Sequence, residues 1–238
     1  MKVIINMIEN ELAIDYHMHS FRSHDGKASI NDQCQRAIDI GLDEIGFTEH
    51  KDFNPEDPVV NHFDYILYMQ EIEKARQQYA GKLTIRAGVE LDYQNWFEES
   101  IGQYLQNHSF DFLVSSVHHT VDGMIMSPEY IHGRNRDECY SEYFREVIRS
   151  VQCGYIDVVG HLEYANRRGI AAFGPYDPSR YKAELTDLFD LMIEQRVALE
   201  INTAGLRQGI GMTYPCIETI ALYRERGGTL NLFCLFFR

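Results

Sequence analysis

The chain alternates short, strand-like apolar segments with longer, helix-like amphipathic segments along most of its length. Strands are predicted over residues 12–17, 44–47, 83–92, 110–117, 156–160, 197–201 and 229–237. Helices are predicted over residues 29–40, 62–79, 96–105, 137–152, 178–195 and 214–226. Repeated βα units of this length require parallel strands joined by helical crossovers. Since 238 residues with 45% apolar content suit a single large core, the pattern predicts one α/β domain, closed into a barrel or wound into an open sheet.

Two segments between these strands carry more specific expectations. The helix over residues 62–79 is predicted to turn one side inward, and the side chains on that side are Phe63, Ile66, Leu67, Gln70 and residues 72–75. Residues 120–136 are predicted to form a long loop. Long loops in compact domains are often functional, so this one is expected to cover a site.

The charge and the cysteines limit the classes of function. A net charge of −14 disfavours binding to nucleic acid or to an anionic membrane, because a solvated acidic surface repels both. The five cysteines are scattered and contain no Cys-x-x-Cys pair, as is typical of reduced thiols in a cytoplasm, and none is assigned to catalysis or metal. Residues 1–12 lack the uninterrupted apolar region of a signal peptide, and no segment approaches a membrane span. We expect a cytoplasmic protein with a small-molecule partner.

Two imidazoles alternate where the first predicted strand ends, at His17 and His19, and Asp25 follows in the same loop. Alternate residues of a strand point to the same face. Imidazole is a borderline-soft ligand and carboxylate a hard one, so this combination suits Zn, Mn or Fe. The alternative is that a His-x-His pair arises by chance in a chain with ten histidines.

Side chains that can bind a metal recur at the ends of five consecutive predicted strands. They are His17 with His19, His50, Glu90, His118 and His161. The C-terminal ends of barrel strands converge on one face, which hosts the chemistry, so this recurrence predicts a shared metal centre. A carboxylate can bridge two cations with its two oxygens, so Glu90 is the candidate bridge. The alternative for Glu90 is a salt bridge at the barrel mouth.

The remaining histidines are less well placed to bind a metal. His24 and His119 adjoin better-placed candidates and are predicted to face the substrate or to support the ligands. His62, His108 and His132 lie at helix ends or in a loop, where exposed or capping roles are ordinary.

Taken in order, these motifs resemble the polymerase and histidinol phosphatase (PHP) family, in particular its histidinol-phosphate phosphatase branch. The resemblance spans residues 12 to about 228 and rests on His17-Met18-His19-Ser20, Asp25-Gly26, Gly46-Phe47-Thr48-Glu49-His50, Gly88-Val89-Glu90, Ser116-Val117-His118, Gly160-His161 and Glu200-Ile201-Asn202-Thr203-Ala204-Gly205-Leu206-Arg207. It implies a distorted (β/α)7 TIM-like barrel with two or three divalent metal ions. Two of the ions would be served by His17, His19, Glu90, His118 and His161, with Glu90 bridging, and the third by Asp25 and His50.

The implied reaction is hydrolysis of L-histidinol phosphate to L-histidinol and phosphate, as a step of histidine biosynthesis. Forked guanidinium donors suit a phosphate clamp, for which Arg207 is the first candidate and Arg167 and Arg168 are the second; the alternative for all three is a solvated loop charge. His119 or His24 is expected to donate a proton to the leaving group. Asn202 is expected to position the amino-alcohol part of the substrate.

The final motif of the family, Asp-x-His after Gly227-Gly228, is absent from residues 229–238. This departure predicts a barrel that is truncated or altered at its C-terminus, with weakened occupancy of the first and third metals. The apolar run at 232–237 is expected either to supply a strand or to mediate homo-oligomerisation. Two alternatives follow: a PHP phosphoesterase with another substrate, and a catalytically impaired metal-binding remnant.

Overall fold

Nine strands lie within residues 12–232, the part of the chain that the computed structural model describes. Seven of them form one parallel sheet, and the remaining two form an antiparallel hairpin. The strands are β1 (Ile14–Met18), β2 (Glu44–Lys51), β3 (Thr84–Asp92), β4 (Phe112–Ser116), β5 (His119–Thr120), β6 (Gly123–Met124), β7 (Val158–Val159), β8 (Ala198–Ile201) and β9 (Leu230–Leu232). The order in the parallel sheet is β1-β2-β3-β4-β7-β8-β9, and β5 pairs with β6.

Helices connect the parallel strands, as expected for repeated βα crossovers. They are α1 (Ile30–Ile40), α2 (Tyr65–Gln78), α3 (Glu98–Asn107), α4 (Pro128–Ile131), α5 (Arg136–Gln152), α6 (Asn166–Phe173), α7 (Lys182–Gln195), α8 (Ala204–Arg207) and α9 (Ile217–Glu225). Short 3₁₀ helices, Asn95–Phe97 and Pro178–Tyr181, precede α3 and α7. No helix in the described part of the chain is long and apolar enough to cross a membrane.

Local capping determines where the best-predicted helices begin and end. At α1 the Ser29 hydroxyl accepts a hydrogen bond from the Asp32 amide at 3.0 Å, and Gly41 ends the helix with a φ of 83°. At α5 the Asn135 and Glu138 side chains each accept a hydrogen bond from the other residue's backbone amide, which forms a capping box.

The parallel sheet curves until its edge strands become neighbours. Cα atoms of β1 and β9 approach within 8 Å of each other, although no hydrogen-bonded ladder joins the two strands within residues 12–232. The predicted α/β fold with seven parallel strands is therefore confirmed. The predicted seventh strand continues to residue 237, and its part from residue 233 onward lies outside the described residues.

Apolar side chains pack on both faces of the sheet. Between the sheet and the helices, alternate β3 residues such as Ile85 and Val89 belong to two large buried clusters. Inside the curved sheet, the Phe112 ring packs against Gly46 and Gly88, and a Cβ atom at Gly88 would lie only 2.5 Å from Phe112 Cζ. Tyr16 packs on the same ring, with centroids 5.4 Å apart. This layer fills the interior toward the N-terminal ends of the strands.

The structure corrects three sequence-based expectations about the connecting segments. Helix α2 begins at Tyr65 and buries Tyr68, Ile72 and Ala75, so the prediction that Ile66 and Leu67 face inward is wrong. The segment 120–136, predicted as a loop, contains strand β6 and helix α4. Helix α6 was absent from the prediction, and the residues that it buries, Asn166 and Gly169, are not large apolar ones that would mark an inward side. Each of these segments lies outside the parallel sheet.

Candidate metal centre

Glu90 lies at the centre of the predicted site, fully buried on β3. Its Oε2 atom is 3.2 Å from His17 Nε2, 3.4 Å from His19 Nε2 and 3.1 Å from His50 Nδ1. Its Oε1 atom is 3.0 Å from His161 Nε2. The structure thus brings four of the predicted histidines around the predicted bridging carboxylate.

The ligand atoms fall into three overlapping groups that could each hold a metal ion, since the atoms of each group lie within 4.8 Å of one another. The groups are His17 with Glu90 and His161, His19 with His50 and Glu90, and His24 with Asp25 and His50. Glu90 is shared by the first two groups, and His50 by the second and third. This sharing is the arrangement that a multinuclear centre requires.

One buried atom provides a test of whether these residues fit a metal. Glu90 Oε2 makes no hydrogen bond of acceptable geometry, although three imidazole nitrogens lie nearby. A buried polar atom without a partner is costly, so it points to a missing partner. Donor atoms that each lie about 2.1 Å from a tetrahedral zinc ion are roughly 3.4 Å apart, which resembles the spacing around Glu90 Oε2. The donor set therefore fits cations.

A register shift in β1 turns His17 into this interior. Asp15 pairs with Ile45 and Met18 pairs with Phe47, so β1 carries one more residue than β2 between the same two pairs. Such a bulge changes which side chains face inward. His17 consequently reaches Glu90, and the rings of His17 and His19 lie 5.1 Å apart. The two imidazoles lie close together, as the alternation of side chains along a strand predicts, and the bulge also contributes to their positions.

A second buried carboxylate, Glu200 at the end of β8, was not among the predicted site residues. Its Oε1 atom lies 2.8 Å from His17 Nδ1, and its Oε2 atom accepts a hydrogen bond from the His161 amide. The Asn202 side chain donates to Glu200 Oε1 at 2.8 Å and accepts from the Ala204 amide at 2.9 Å. Asn202, which was predicted to contact substrate, is therefore bonded to a residue that supports two histidines. The alternation Glu-x-Asn at a strand end is the pattern that could have revealed this role.

Asp92, two residues after Glu90, was also missed as an individual site residue. It is buried, and its two oxygens each lie 3.2 Å from the Nδ1 atom of one imidazole, His118 for Oδ1 and His119 for Oδ2. The His118 ring lies 5.3 Å from the His161 ring. His118 thus borders the centre, outside the three groups of closely spaced ligand atoms.

A fourth buried carboxylate, Glu49, holds the loop that follows β1. It accepts hydrogen bonds from the Ser20 amide at 3.0 and 3.1 Å and from the Ser20 hydroxyl at 2.6 Å. The Ser23 hydroxyl in the same loop accepts from the His50 amide at 2.7 Å. Burial raises the pKa of Glu49 to about 7, against the effect of the Ser20 hydrogen bonds. These contacts fix the loop that carries His19, His24 and Asp25.

The electrostatics of the centre favour anionic carboxylates beside imidazoles. Burial opposes ionisation of Glu90, but His50 and His17 hold the pKa of this carboxyl well below its usual range. Burial, together with the neighbouring His50, lowers the pKa of His19 well below the ordinary value. Burial also lowers the pKa of His161, although Glu90 opposes this shift. Neutral imidazole is the form that binds a metal, and the lowered pKa values of His19 and His161 favour it. At His17 burial also lowers the pKa, but Glu200 and Glu90 outweigh it and raise this pKa well above the ordinary value, so a cation would have to displace a proton there.

The predicted phosphate-binding arginines are all exposed. Arg207 on α8 donates to the Thr203 hydroxyl at 2.9 Å. Arg167 donates to the Tyr164 hydroxyl, and the Tyr164 ring lies 4.8 Å from the His161 ring. Arg168 contacts the sulfur of Met124 in the β5–β6 hairpin. Arg167 is therefore linked to the centre through one aromatic ring.

The other predicted histidines behave differently from one another. The His24 ring lies 5.0 Å from the His50 ring and 6.5 Å from the His62 ring. His108 stacks on Tyr104 with centroids 4.0 Å apart, in keeping with its predicted structural role.

Comparison with known proteins shows which family and relatives this chain resembles. The PHP domain family matches residues 15–204. A histidinol-phosphatase of Lactococcus lactis is 31% identical over 201 residues, which cover 80% of this chain and 71% of the relative. A probable histidinol-phosphatase of Deinococcus radiodurans is 27% identical over 225 residues, covering 90% and 82% of the two chains.

Solved structures with the same fold include an enzyme complex from one of these organisms. It is the crystal structure of histidinol phosphate phosphatase from Lactococcus lactis in complex with zinc, L-histidinol and phosphate. It superposes with a TM-score of 0.82 and 26% sequence identity, and the match covers 93% of this chain and 85% of the other.

Proposed function

Because this chain belongs to the PHP domain family, we propose that it is a metal-dependent phosphomonoester hydrolase that converts L-histidinol phosphate and water to L-histidinol and phosphate. The observation that carries the proposal is the buried Glu90 carboxylate shared by two groups of imidazoles. The names of the relatives support the choice of substrate, since those compared are histidinol-phosphatases or probable ones. The zinc, L-histidinol and phosphate in the similar crystal structure support it further.

We propose that the centre holds two or three divalent ions, of zinc, manganese or iron. The ligands would be His17, His19, Asp25, His50, Glu90, His118 and His161, with Glu90 as the bridge. When bound, such ions lower the pKa of water toward neutrality and neutralise charge on a phosphoryl group. Glu200 and Asn202 would keep the His17 and His161 rings oriented, and the Glu49 contacts would hold the loop ligands.

The remaining residues would act on the substrate. Arg207, Arg167 and Arg168 would bind phosphoryl oxygens through their forked donors, supported by their positions on segments that follow β7 and β8. His119 or His24 would donate a proton to the leaving alcohol oxygen, which improves a poor leaving group. Both histidines have partly accessible side chains near the centre.

The direct test is hydrolysis of L-histidinol phosphate by the purified chain with added zinc or manganese. The His17→Ala variant should lose activity, because it removes a ligand beside both Glu90 and Glu200. The matched control is His108→Ala, which removes an imidazole stacked on Tyr104 and should leave activity unchanged. A wild-type chain that releases no phosphate from any monoester under these conditions would contradict the proposal.

Two alternatives are separated by the same assay. A panel of phosphate esters distinguishes a histidinol-phosphate phosphatase from a family member with another substrate, and the charge of −14 disfavours nucleic acids in that panel. The absence of Asp-x-His from residues 229–238 motivates the alternative of an impaired metal-binding protein. Metal counting tests this alternative, since the missing motif predicts fewer than three ions per chain.

We also infer a single domain that closes as a distorted barrel, altered at its C-terminus. The membership of all seven parallel strands in one sheet and the approach of β1 to β9 support this inference. A cytoplasmic location and homo-oligomerisation stay predictions. The free thiols of Cys34, Cys139, Cys153 and Cys216 support the first. Light scattering would test the second.

A further inference from the structure

We propose that Asp92 is a positioning residue that orients two consecutive imidazoles for different tasks, His118 toward the metal centre and His119 toward the leaving group as its proton donor. This inference rests on the proposed phosphatase function and decides between the two candidate proton donors.

The Asp92 carboxylate is held rigidly at the end of β3. It is 1% exposed, and each of its oxygens faces a different imidazole at 3.2 Å. The Gln94 side chain donates to Oδ2 at 2.7 Å, and the His118 amide donates to Oδ1 at 3.3 Å. Each oxygen therefore has a ring and a second donor, which leaves the carboxylate little freedom to rotate.

This geometry sets the outward nitrogen of both rings. Because Nδ1 of each imidazole faces the carboxylate, Nε2 is the nitrogen directed away from it. The His118 ring lies 5.3 Å from His161 and 5.9 Å from His50, so it borders the metal centre. His119 begins the β5–β6 hairpin, and its side chain is 24% exposed. The His119 side chain is therefore partly accessible to a substrate.

His24 has a different setting. Its ligand atom groups with those of Asp25 and His50, and the His24 ring lies 5.0 Å from the His50 ring. A nitrogen that binds a cation cannot deliver a proton from the same lone pair. Because His24 lies beside Asp25 and His50, the two proposed ligands of the third ion, its nitrogen is placed to contact that ion, and we assign the donor role to His119.

The chemical step can be written with all atoms balanced. An oxygen from water forms a bond to phosphorus while the bond from phosphorus to the alcohol oxygen breaks. The electron pair of the broken bond stays on the alcohol oxygen, which takes the proton from His119 Nε2 and leaves as the free alcohol. The proton lost by the water returns through solvent to the neutral His119 ring. One water is consumed, and Asp92 stays ionised throughout.

The test compares two substrates whose leaving groups differ in basicity. L-Histidinol phosphate releases an alkoxide and needs a proton donor, whereas 4-nitrophenyl phosphate releases a stable phenolate and does not. The His119→Asn variant should lose about 10²–10⁴-fold in kcat on L-histidinol phosphate and less than about 10-fold on 4-nitrophenyl phosphate. Adding Asp92→Asn to His119→Asn should leave the ratio of the two rates unchanged.

The Asp92→Asn variant alone should also bind metal about 10–100-fold more weakly, because the His118 ring loses the carboxylate that orients it. Asp122→Asn is the matched control, since Asp122 lies in the same hairpin and pairs with the partly exposed Arg134. It should change neither the rate ratio nor metal retention.

A readout without metal tests the positioning directly. Long-range ¹H–¹⁵N spectra of the metal-free protein should show His118 and His119 with protonated Nδ1 atoms, and this state should be lost in Asp92→Asn. Equal losses on both substrates in His119→Asn, or unchanged spectra in Asp92→Asn, would overturn the inference. A wild-type chain inactive on both substrates would overturn the proposed function and the proton-donor role together, and the spectra would still decide whether Asp92 orients the rings.

Discussion

Single carboxylates at strand ends determine how the histidines of this protein are oriented. Glu200 contacts the His17 ring and the His161 backbone, so it acts on two candidate ligands at once. Mutating a carboxylate that holds a metal-binding imidazole typically costs about 10–100-fold in metal affinity. The same reasoning applies to Asp92 beside His118.

A substitution at Glu200 tests this view. The Glu200→Gln variant should bind zinc about 10–100-fold more weakly, because the neutral amide no longer supports His17. The measurement is zinc retained per chain during dialysis against graded concentrations of a chelator. Glu194→Gln, an exposed change on α7, is the control and should retain zinc like the wild type. Equal retention by both variants would contradict the prediction.

Sequence reasoning found the imidazoles of the centre but missed their supporting carboxylates. His17, His19, His50 and Glu90 were predictable because strand ends converge and metal-competent residue types are rare there. Three carboxylates, Glu200, Asp92 and Glu49, were missed because the sequence does not show whether an acidic residue in a strand contacts a cation, an imidazole or a backbone amide. Only the distances distinguish these cases.

At the scale of elements, the glycines of β2 and β3 are required by one aromatic ring. The Gly88→Ala variant should have a free energy of unfolding about 1–3 kcal/mol lower than wild type, because the added methyl overlaps the Phe112 ring. Urea unfolding measures the change. In a Phe112→Ala background, Gly88→Ala should lower the free energy of unfolding by far less. An equal cost in both backgrounds would show that ring overlap is not the cause.

Helix α5 contains a buried carboxyl that should make stability depend on pH. Glu146 is fully buried, pairs with Arg149, and has one oxygen without a hydrogen bond. Burial raises its pKa, and Arg149 opposes the shift only in part. A folded-state pKa above the unfolded one means that stability is lost as the pH rises through the folded value.

The Glu146→Gln variant should therefore be more stable than wild type at pH 8, and the difference should shrink as the pH falls toward the ordinary range of glutamate. Urea unfolding at pH 8 and pH 5 is the measurement. Glu142→Gln on the same helix breaks an equivalent i,i+3 ion pair with Arg145 and serves as the control. If Glu146→Gln raised the free energy of unfolding by the same amount at both pH values, the ionisation of Glu146 would not be what destabilises the folded state.

How well an element was predicted depended on how its ends are marked. Helix α1 was predicted to within one residue of its observed bounds because Ser29 and Gly41 mark its two ends. For helix α2 the start was misplaced because Asp64, its N-cap, was not recognised, and the inward side was predicted only in part, since Ile72 and Ala75 are buried as expected whereas Ile66 and Leu67 are exposed. The β5–β6 hairpin is too short for any periodic pattern to predict.

At the scale of the whole molecule, bound metal should contribute to stability. Buried carboxylates in a chain with a charge of −14 repel one another unless cations are present. A ligand at 100 times its Kd stabilises the folded state by about 2.7 kcal/mol. Removing metal with a chelator should therefore lower Tm, and zinc should restore it. Calcium, which prefers oxygen donors, should restore little, and a Tm unaffected by chelation would contradict the prediction.

The overall architecture was the most predictable level, because seven strand-like segments separated by helix-like ones permit few arrangements. Closure was less predictable. The order of the strands follows from the chain, but the approach of β1 to β9 depends on how strongly the sheet curves.

The contact between His17 and Glu200 has a consequence for biosynthesis. Translation makes His17 before Glu200, so this wall of the proposed centre cannot assemble until the intervening strands and helices and β8 have been made. A metal ion bound at the proposed centre would therefore be fully held only by a chain that has been translated through β8.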